Sequence, residues 1–232
     1  MNWHEFPDRA ALTAAVTDRL QQQLTASLAE RPTVSMALSG GSTPKPIYAR
    51  LASLPLDWAR VTAVPTDERW VGPDHAASNV GEIRRQFART DLDVRSLAPD
   101  PLAGDADPHH AERVLSGLPK PFDLAMIGMG GDGHFASLFP GSPALAAGLD
   151  PKAPASALAV TPDPLPPEAP FSRISLTLAR LLQTRCLLLV ITGEAKREVL
   201  QQAARIDADE DVLPVAALLR AAGERLEVFW SP

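Results

Sequence analysis

The sequence predicts an α/β protein built on a parallel sheet, and three observations lead there. Apolar runs such as Leu124-Ala125-Met126-Ile127 carry no polar alternation, as expected of strands buried on both faces. These runs break into glycine: Gly40-Gly41 after Thr33–Leu38, Gly128 to Gly133 after Leu124–Ile127, and Gly193 after Arg185–Ile191. Helical patterning follows the first and last of these turns. A buried strand feeding a glycine turn places that turn at the carboxyl edge of a parallel sheet, where open α/β folds bind ligands.

The chain has 232 residues, which fits one large α/β domain as well as two small ones. Hydrophobic content of 45% and charged content of 22% suit a globular protein with a sizeable core. The net charge of −6 implies no basic face, so a nucleic-acid partner is not expected. Cys186 is the lone cysteine and cannot form an internal disulfide. It lies in an apolar run and reads as a small buried hydrophobe. The N-terminal stretch carries charges where a signal peptide needs an apolar region. No apolar run reaches about 18 residues, so no membrane span is expected, and a cytoplasmic location follows.

The elements follow in order. Asp8 to Glu30 reads as a helix, because Leu12, Val16, Leu20, Leu24 and Leu28 form one stripe and Asp8 can cap it. Thr33 to Leu38 is a strand. Ser39-Gly40-Gly41-Ser42-Thr43 follows, with Pro44 suited to the first position of the next helix. Free N–H groups at a helix N-terminus make an anion site. The same segment also reads as an ordinary capped turn, and alone it does not choose between the two. Val61 to Pro65 is a strand delivering Thr66-Asp67-Glu68-Arg69-Trp70 to the same edge. Asp67 or Glu68 there suits an acid, base or orienting group, and Arg69 an oxyanion clamp. The alternative is a surface salt-bridge cluster. Ser78-Asn79 reads as a cap before a helix with Val80, Ile83 and Phe87 inward.

Asp91 to Pro108 reads as irregular and His109 to Leu118 as a helix. His109 and His110 are adjacent and cannot face one another on it, so they read as solvated rather than as metal ligands. His134 follows the glycine turn after Leu124–Ile127, beside Asp132 and Gly133. An imidazole at that edge is a proton carrier near neutral pH. Phe135 to Phe139 reads as a short helix or turn. Gly128, Gly130 and Gly133 formally match the dinucleotide fingerprint. That fingerprint needs a following helix and a second strand ending in an acidic residue about 20 residues on. The proline-rich stretch downstream offers no such strand, so no nicotinamide cofactor is expected. Pro151 to Pro170 reads as a surface loop with a short strand near Ala157–Thr161. Arg173 to Leu178 is a strand or strand-to-helix entry. Arg185 to Ile191 is a buried strand turning into a helix that reaches about Ile206, with Lys196 in its first turn. A lysine there opposes the helix dipole, which an anionic ligand at the helix mouth would explain. Pro214 to Leu219 is a short helix and Leu226 to Trp230 a final strand.

Together, LSGGSTP (Leu38–Pro44), DERWV (Asp67–Val71), GMGGDGHFASLFPG (Gly128–Gly141), RISLT (Arg173–Thr177) and TGEAKR (Thr192–Arg197) resemble the 6-phosphogluconolactonase family. They fall in the family's order and span most of the chain. The related glucosamine-6-phosphate deaminases carry a GHIGFNEP-type sequence. Here GHFASLFPG lacks that glutamate, and Arg69 stands where the deaminases have tyrosine. Phe135 and Gly131 depart from the lactonase pattern, where threonine and proline are usual. The resemblance implies a single domain over 1–232, a three-layer α/β/α sandwich with a Rossmann-like, mostly parallel sheet. It implies hydrolysis of 6-phospho-D-glucono-1,5-lactone, a phosphosugar lactone, with no cofactor and no metal. His134 is the expected base, with Asp132 or Asp67 orienting it and Asp67 as a second candidate base. The backbone from Gly130 through Gly131 to Gly133 is expected to hold the oxyanion. Gly40, Gly41, Ser42, Thr43, Arg69, Arg173 and Lys196 are expected to bind substrate, the last three through its phosphate. Two other readings are a phosphosugar isomerase-deaminase and a non-catalytic sugar-phosphate sensor. Sensors of that kind carry a helix-turn-helix module first, for which the segment before Thr33 has no room. The oligomeric state is left open, with a monomer compatible.

Overall fold

Residues 1–162, 169–205 and 207–232 are described by a computed structural model of the chain. The first half runs β1 (Asn2–Glu5), α1 (Arg9–Glu30), β2 (Val34–Leu38), α2 (Pro44–Ala52), β3 (Val61–Pro65), β4 (Asp67–Arg69), α3 (Asn79–Gln86), β5 (Asp93–Val94) and α4 (His109–Ser116). The second half runs β6 (Leu124–Ile127), α5 (Leu145–Leu149), β7 (Ala157–Val160), β8 (Arg173–Leu176), α6 (Leu178–Leu182), β9 (Leu187–Thr192), α7 (Glu194–Ala203), α8 (Val215–Ala222) and β10 (Leu226–Ser231). Seven of these strands form one parallel sheet, ordered β1-β10-β9-β6-β2-β3-β5. A separate antiparallel sheet is ordered β4-β8-β7.

Period-two side-chain direction splits each central strand between two apolar layers. Met36 and Leu38 of β2 join Leu12, Val16, Leu20, Ile47 and Ile83 on one face, while Ala37 points to the other. On β9, Leu188 and Val190 take the first face, and Leu187, Leu189 and Ile191 take the second with Leu115, Leu200, Val215 and Leu218. Helices therefore cover both faces, which gives the three-layer sandwich and explains why these strands read as unbroken apolar runs. The Asp8 cap is in place, its carboxylate accepting from Ala11 N–H at 2.8 Å. Cys186 is buried, and burial pushes its thiol up to about 12.

Several expectations are corrected. Asp67–Arg69 is not the loop end of β3 but a strand of the second sheet, hydrogen-bonded to β8. Asn2–Glu5, which received no assignment, and Asp93–Val94, within a stretch read as irregular, add the two outer strands of the large sheet. Of the two readings of Phe135 to Phe139, the turn is the one present, closed by a Phe135–Leu138 bridge. The helix expected to reach about Ile206 ends at Ala203, while Ile206 itself and residues 163–168 of the proline-rich loop lie outside the described residues. No helix among those described is long and apolar enough to cross a membrane.

The strand order reverses at β2. The chain moves outward through β3 to β5, then returns to place β6 on the other side of β2. The turns after β2 and β6 therefore flank the crevice where a doubly wound sheet binds its ligand.

Candidate active site

A cavity of about 310 Å³ opens at that crevice. Gly40 to Pro44 form one wall, Gly128 to Gly130 with His134 another, and Asp67, Arg69, Arg173 and Lys196 reach it from β4, β8 and α7. Segments far apart in sequence thus meet, and all three expected phosphate cations line one space.

His134 is held from several sides. Its Nδ1 lies 2.5 Å from Asp132 Oδ1, and its backbone N–H donates to the same oxygen at 3.2 Å. An ionised carboxylate only accepts, so Nδ1 carries the proton and Nε2 is left as the open nitrogen. Burial alone would raise the Asp132 carboxyl, but its hydrogen bond and charge interaction with His134 outweigh this and hold it below the usual range. The Phe139 ring packs against the imidazole at 4.2 Å between centroids. Arg173, itself buried, lies 4.7 Å from the same Phe139 ring and donates to Ala169 O at 3.0 Å. A methyl group on Gly130 would overlap His134 Nδ1 and Cε1 and crowd Asp132 Oδ1, so only glycine fits there.

Of the two carboxylates expected to orient His134, Asp132 makes the contact. Asp67 is bonded elsewhere, accepting from Ser137 Oγ at 2.6 Å and Thr66 Oγ1 at 3.2 Å. Asn79 Nδ2 donates to the Asp67 carbonyl at 2.6 Å and packs so closely on Gly40 that a methyl there would overlap it. Asn79 therefore locks the turn after β2 to the start of β4.

The expected oxyanion nest has two of its N–H groups engaged in the turn itself. Gly130 N–H donates to His134 O at 2.9 Å and Gly133 N–H to Gly130 O at 3.2 Å. Gly131 and Asp132 do not line the cavity. These donors close the turn that aims the histidine. By contrast, the N–H groups of Gly40, Gly41, Ser42 and Thr43 donate to no described residue, and Thr43 makes no side-chain cap bond. That turn leaves its donors at the cavity at the start of α2, the arrangement an anion site requires.

Glu68 is corrected as well. It is fully buried and points away from the cavity, accepting from the N–H groups of Arg69 (2.8 Å), Asn79 (2.8 Å) and Val80 (2.7 Å) and from Ser78 Oγ (3.2 Å). It anchors the N-terminus of α3, where a carboxylate suits the helix dipole. Burial pushes Glu68 from its usual 4.5 up to about 7, with the three N–H bonds pulling the other way. Because the folded state then holds the proton more tightly, this group's stabilising share is full below pH 4.5 and is lost as pH rises to about 7. Glu68→Gln is expected to lower stability by about 1–3 kcal/mol, since an amide NH₂ replaces one oxygen that accepts buried donors. Urea denaturation of both proteins from pH 4 to 8 measures this. Equal midpoints throughout would show that Glu68 does not anchor α3.

Lys196 sits on the first turn of α7. Burial lowers its pKa, the Asp132 charge raises it, and Arg9 lowers it further. Arg69 Nη1 donates to Ala77 O at 2.6 Å and stands directly opposite Arg173 across the β4–β8 ladder. Sequence reasoning missed Ser137, Thr66, Phe139 and the site role of Asn79. Only Asn79 carried a signal, as one half of the Ser78-Asn79 cap.

Comparison with known proteins agrees in extent as well as in motif. The family model described as glucosamine-6-phosphate isomerases/6-phosphogluconolactonase matches residues 7–230. The chain is 39% identical over 230 residues to a 6-phosphogluconolactonase of Caulobacter vibrioides, covering 97% of this chain and 95% of that protein. It is 35% identical to one from Rhizobium meliloti, covering 100% and 99%. The fold is similar to the crystal structure of a 6-phosphogluconolactonase from Shewanella baltica, with a TM-score of 0.90 and 32% identity over 100% of this chain and 98% of that one.

Proposed function

This chain belongs to the glucosamine-6-phosphate isomerase/6-phosphogluconolactonase family, and on that premise we propose how it acts as a lactonase. The reaction is hydrolysis of 6-phospho-D-glucono-1,5-lactone to 6-phospho-D-gluconate. The observation that carries the reading is the His134–Asp132 pair on the wall of a cavity that Arg69, Arg173 and Lys196 also line. His134 Nε2 takes a proton from water as its oxygen attacks the lactone carbonyl carbon. The bond from that carbon to the ring oxygen then breaks, and the imidazolium returns the proton to the departing oxygen. Asp132 holds the ring's tautomer and stabilises the imidazolium. Proton transfer of this kind contributes about 10²–10⁴-fold. Phe139 packs on the imidazole where the deaminase pattern continues to a glutamate, which supports lactone hydrolysis over isomerisation-deamination. We propose no metal or cofactor, one domain over 1–232, and a site that needs no second subunit. Purified protein should accelerate loss of the phospholactone well above its spontaneous rate and release no ammonia from glucosamine 6-phosphate. The reverse pattern would overturn the reading.

The phosphate is held by Arg69, Arg173 and Lys196 with the amides of Gly40 to Thr43. On a molecule of net charge −6, attraction of a phosphorylated substrate has to be local. Lys196→Ala is expected to remove about 1.5–3 kcal/mol of charged hydrogen bonding, roughly a ten- to hundredfold loss in kcat/KM. The loss should appear with the phospholactone, weaken as salt rises, and nearly vanish with unphosphorylated gluconolactone. Equal losses on both lactones would move the phosphate site elsewhere.

A further inference from the structure

Among the described residues lining the cavity, Asp67 is the one carboxylate. A negative charge is out of place in a pocket for a phosphorylated ligand unless it faces another part of that ligand. It does not serve the histidine, whose Nδ1 belongs to Asp132. Asp67 is itself almost entirely buried, so the structure bears a desolvation cost to keep it at the wall. Each of its oxygens receives one protein hydroxyl, Ser137 on Oδ2 at 2.6 Å and Thr66 on Oδ1 at 3.2 Å. A carboxylate oxygen accepts about two hydrogen bonds, so each retains capacity for one more donor. Beyond its phosphate and its carbonyl carbon, a sugar lactone offers chiefly hydroxyl groups.

Ser137 is built in as firmly as Asp67. It is fully buried, and its N–H donates to Ser175 Oγ at 3.1 Å. Ser175 is the β8 residue paired with Asp67 across the ladder, and its hydroxyl donates to Leu176 O at 3.0 Å. Ser137 thus ties the histidine turn to the second sheet through the Asp67 carboxylate. A slip of that turn would move both the base and the carboxylate.

We infer that Asp67 is a specificity-determining residue whose carboxylate accepts the ring hydroxyls of the sugar lactone, and that Ser137 is the positioning residue that aims it. The inference rests on the lactonase reading above. It separates two ends of recognition: cations read the phosphate, and a carboxylate held by two hydroxyls reads the polyol.

The test compares kcat/KM on the phospholactone and on its 2-, 3- and 4-deoxy derivatives. Wild-type protein should lose about 10–100-fold on at least one derivative, the value of a charged hydrogen bond. Asp67→Ala should lose a similar factor on the parent lactone and then treat parent and that derivative within about threefold. A further His134→Ala change should abolish the activity that Asp67→Ala retains, because His134 is the base. Ser137→Ala should raise KM with kcat nearly kept and blur the same discrimination, and Ser137→Thr should restore both. Discrimination that survives in Asp67→Ala would overturn the inference. Asp67→Ala reduced to the spontaneous rate on every lactone would make Asp67 the base and overturn it equally. Should Asp67→Ala fail to fold, Ser137→Ala decides by the same comparison, and unchanged discrimination there removes the positioning role. An inactive wild type would sink the lactonase reading itself, before any variant is compared.

Discussion

His134→Ala should hydrolyse the phospholactone about 10²–10⁴-fold more slowly than the parent protein, close to the spontaneous rate. The reason lies in one nitrogen. Asp132 occupies Nδ1 at 2.5 Å, which leaves Nε2 as the group proposed to accept and return the proton. The substitution removes little from the core, because the imidazole is partly exposed on a surface turn, so the variant should melt near the parent temperature. It should also bind 6-phosphogluconate with near-parent affinity, since the cations are untouched. The decisive measurement is single-turnover kinetics beside product binding by calorimetry. Turnover within a few-fold of the parent would remove His134 from the base role, whatever the binding shows.

Gly130→Ala should be nearly as damaging, although it adds a single carbon and deletes nothing. The new methyl would occupy space held by His134 Nδ1 and Cε1 and by Asp132 Oδ1. The pair has to move apart or swing away. A displacement of about 1 Å in a reacting group costs about 10²-fold. The loss should fall on kcat, with KM changed far less. It should not be recovered by raising pH, because the fault is geometric rather than a matter of protonation. A kcat within about threefold of the parent would mean that the observed His134–Asp132 geometry is not the working one.

What could be read in the sequence was what is local. β2, β6 and β9 are legible because strands buried on both faces must be apolar throughout. The glycine turns after them are legible because a tight turn and a close approach leave few other residues possible. Asn2–Glu5 carries no such mark: it is a mostly exposed edge strand, made a strand only by pairing with β10. Asp67–Arg69 is a charged triplet, and its strand conformation depends on β8 and on α3 donors to Glu68. The Ser137–Asp67 bond spans 70 positions, so no spacing rule reaches it. The glycine turn before His134 shows a subtler limit. Glycine shows that a turn is tight, but not whether its N–H groups are spent on the turn itself.

β10 lies between β9 and β1, and it does more than close an edge. Gly193 N–H donates to Ser231 O at 2.9 Å, and Trp230 Nε1 donates to Gly193 O at 3.1 Å. The turn leading to Lys196 is therefore pinned by the last of these strands to be synthesised. A nascent chain stopped before Leu226 already carries the histidine turn, but it leaves one side of β9 bare and Gly193 without either bond. Unpaired strand edges are the sticky feature of incomplete chains. The Lys196 turn thus gains both bonds together, from one six-residue strand, instead of one by one along the polypeptide.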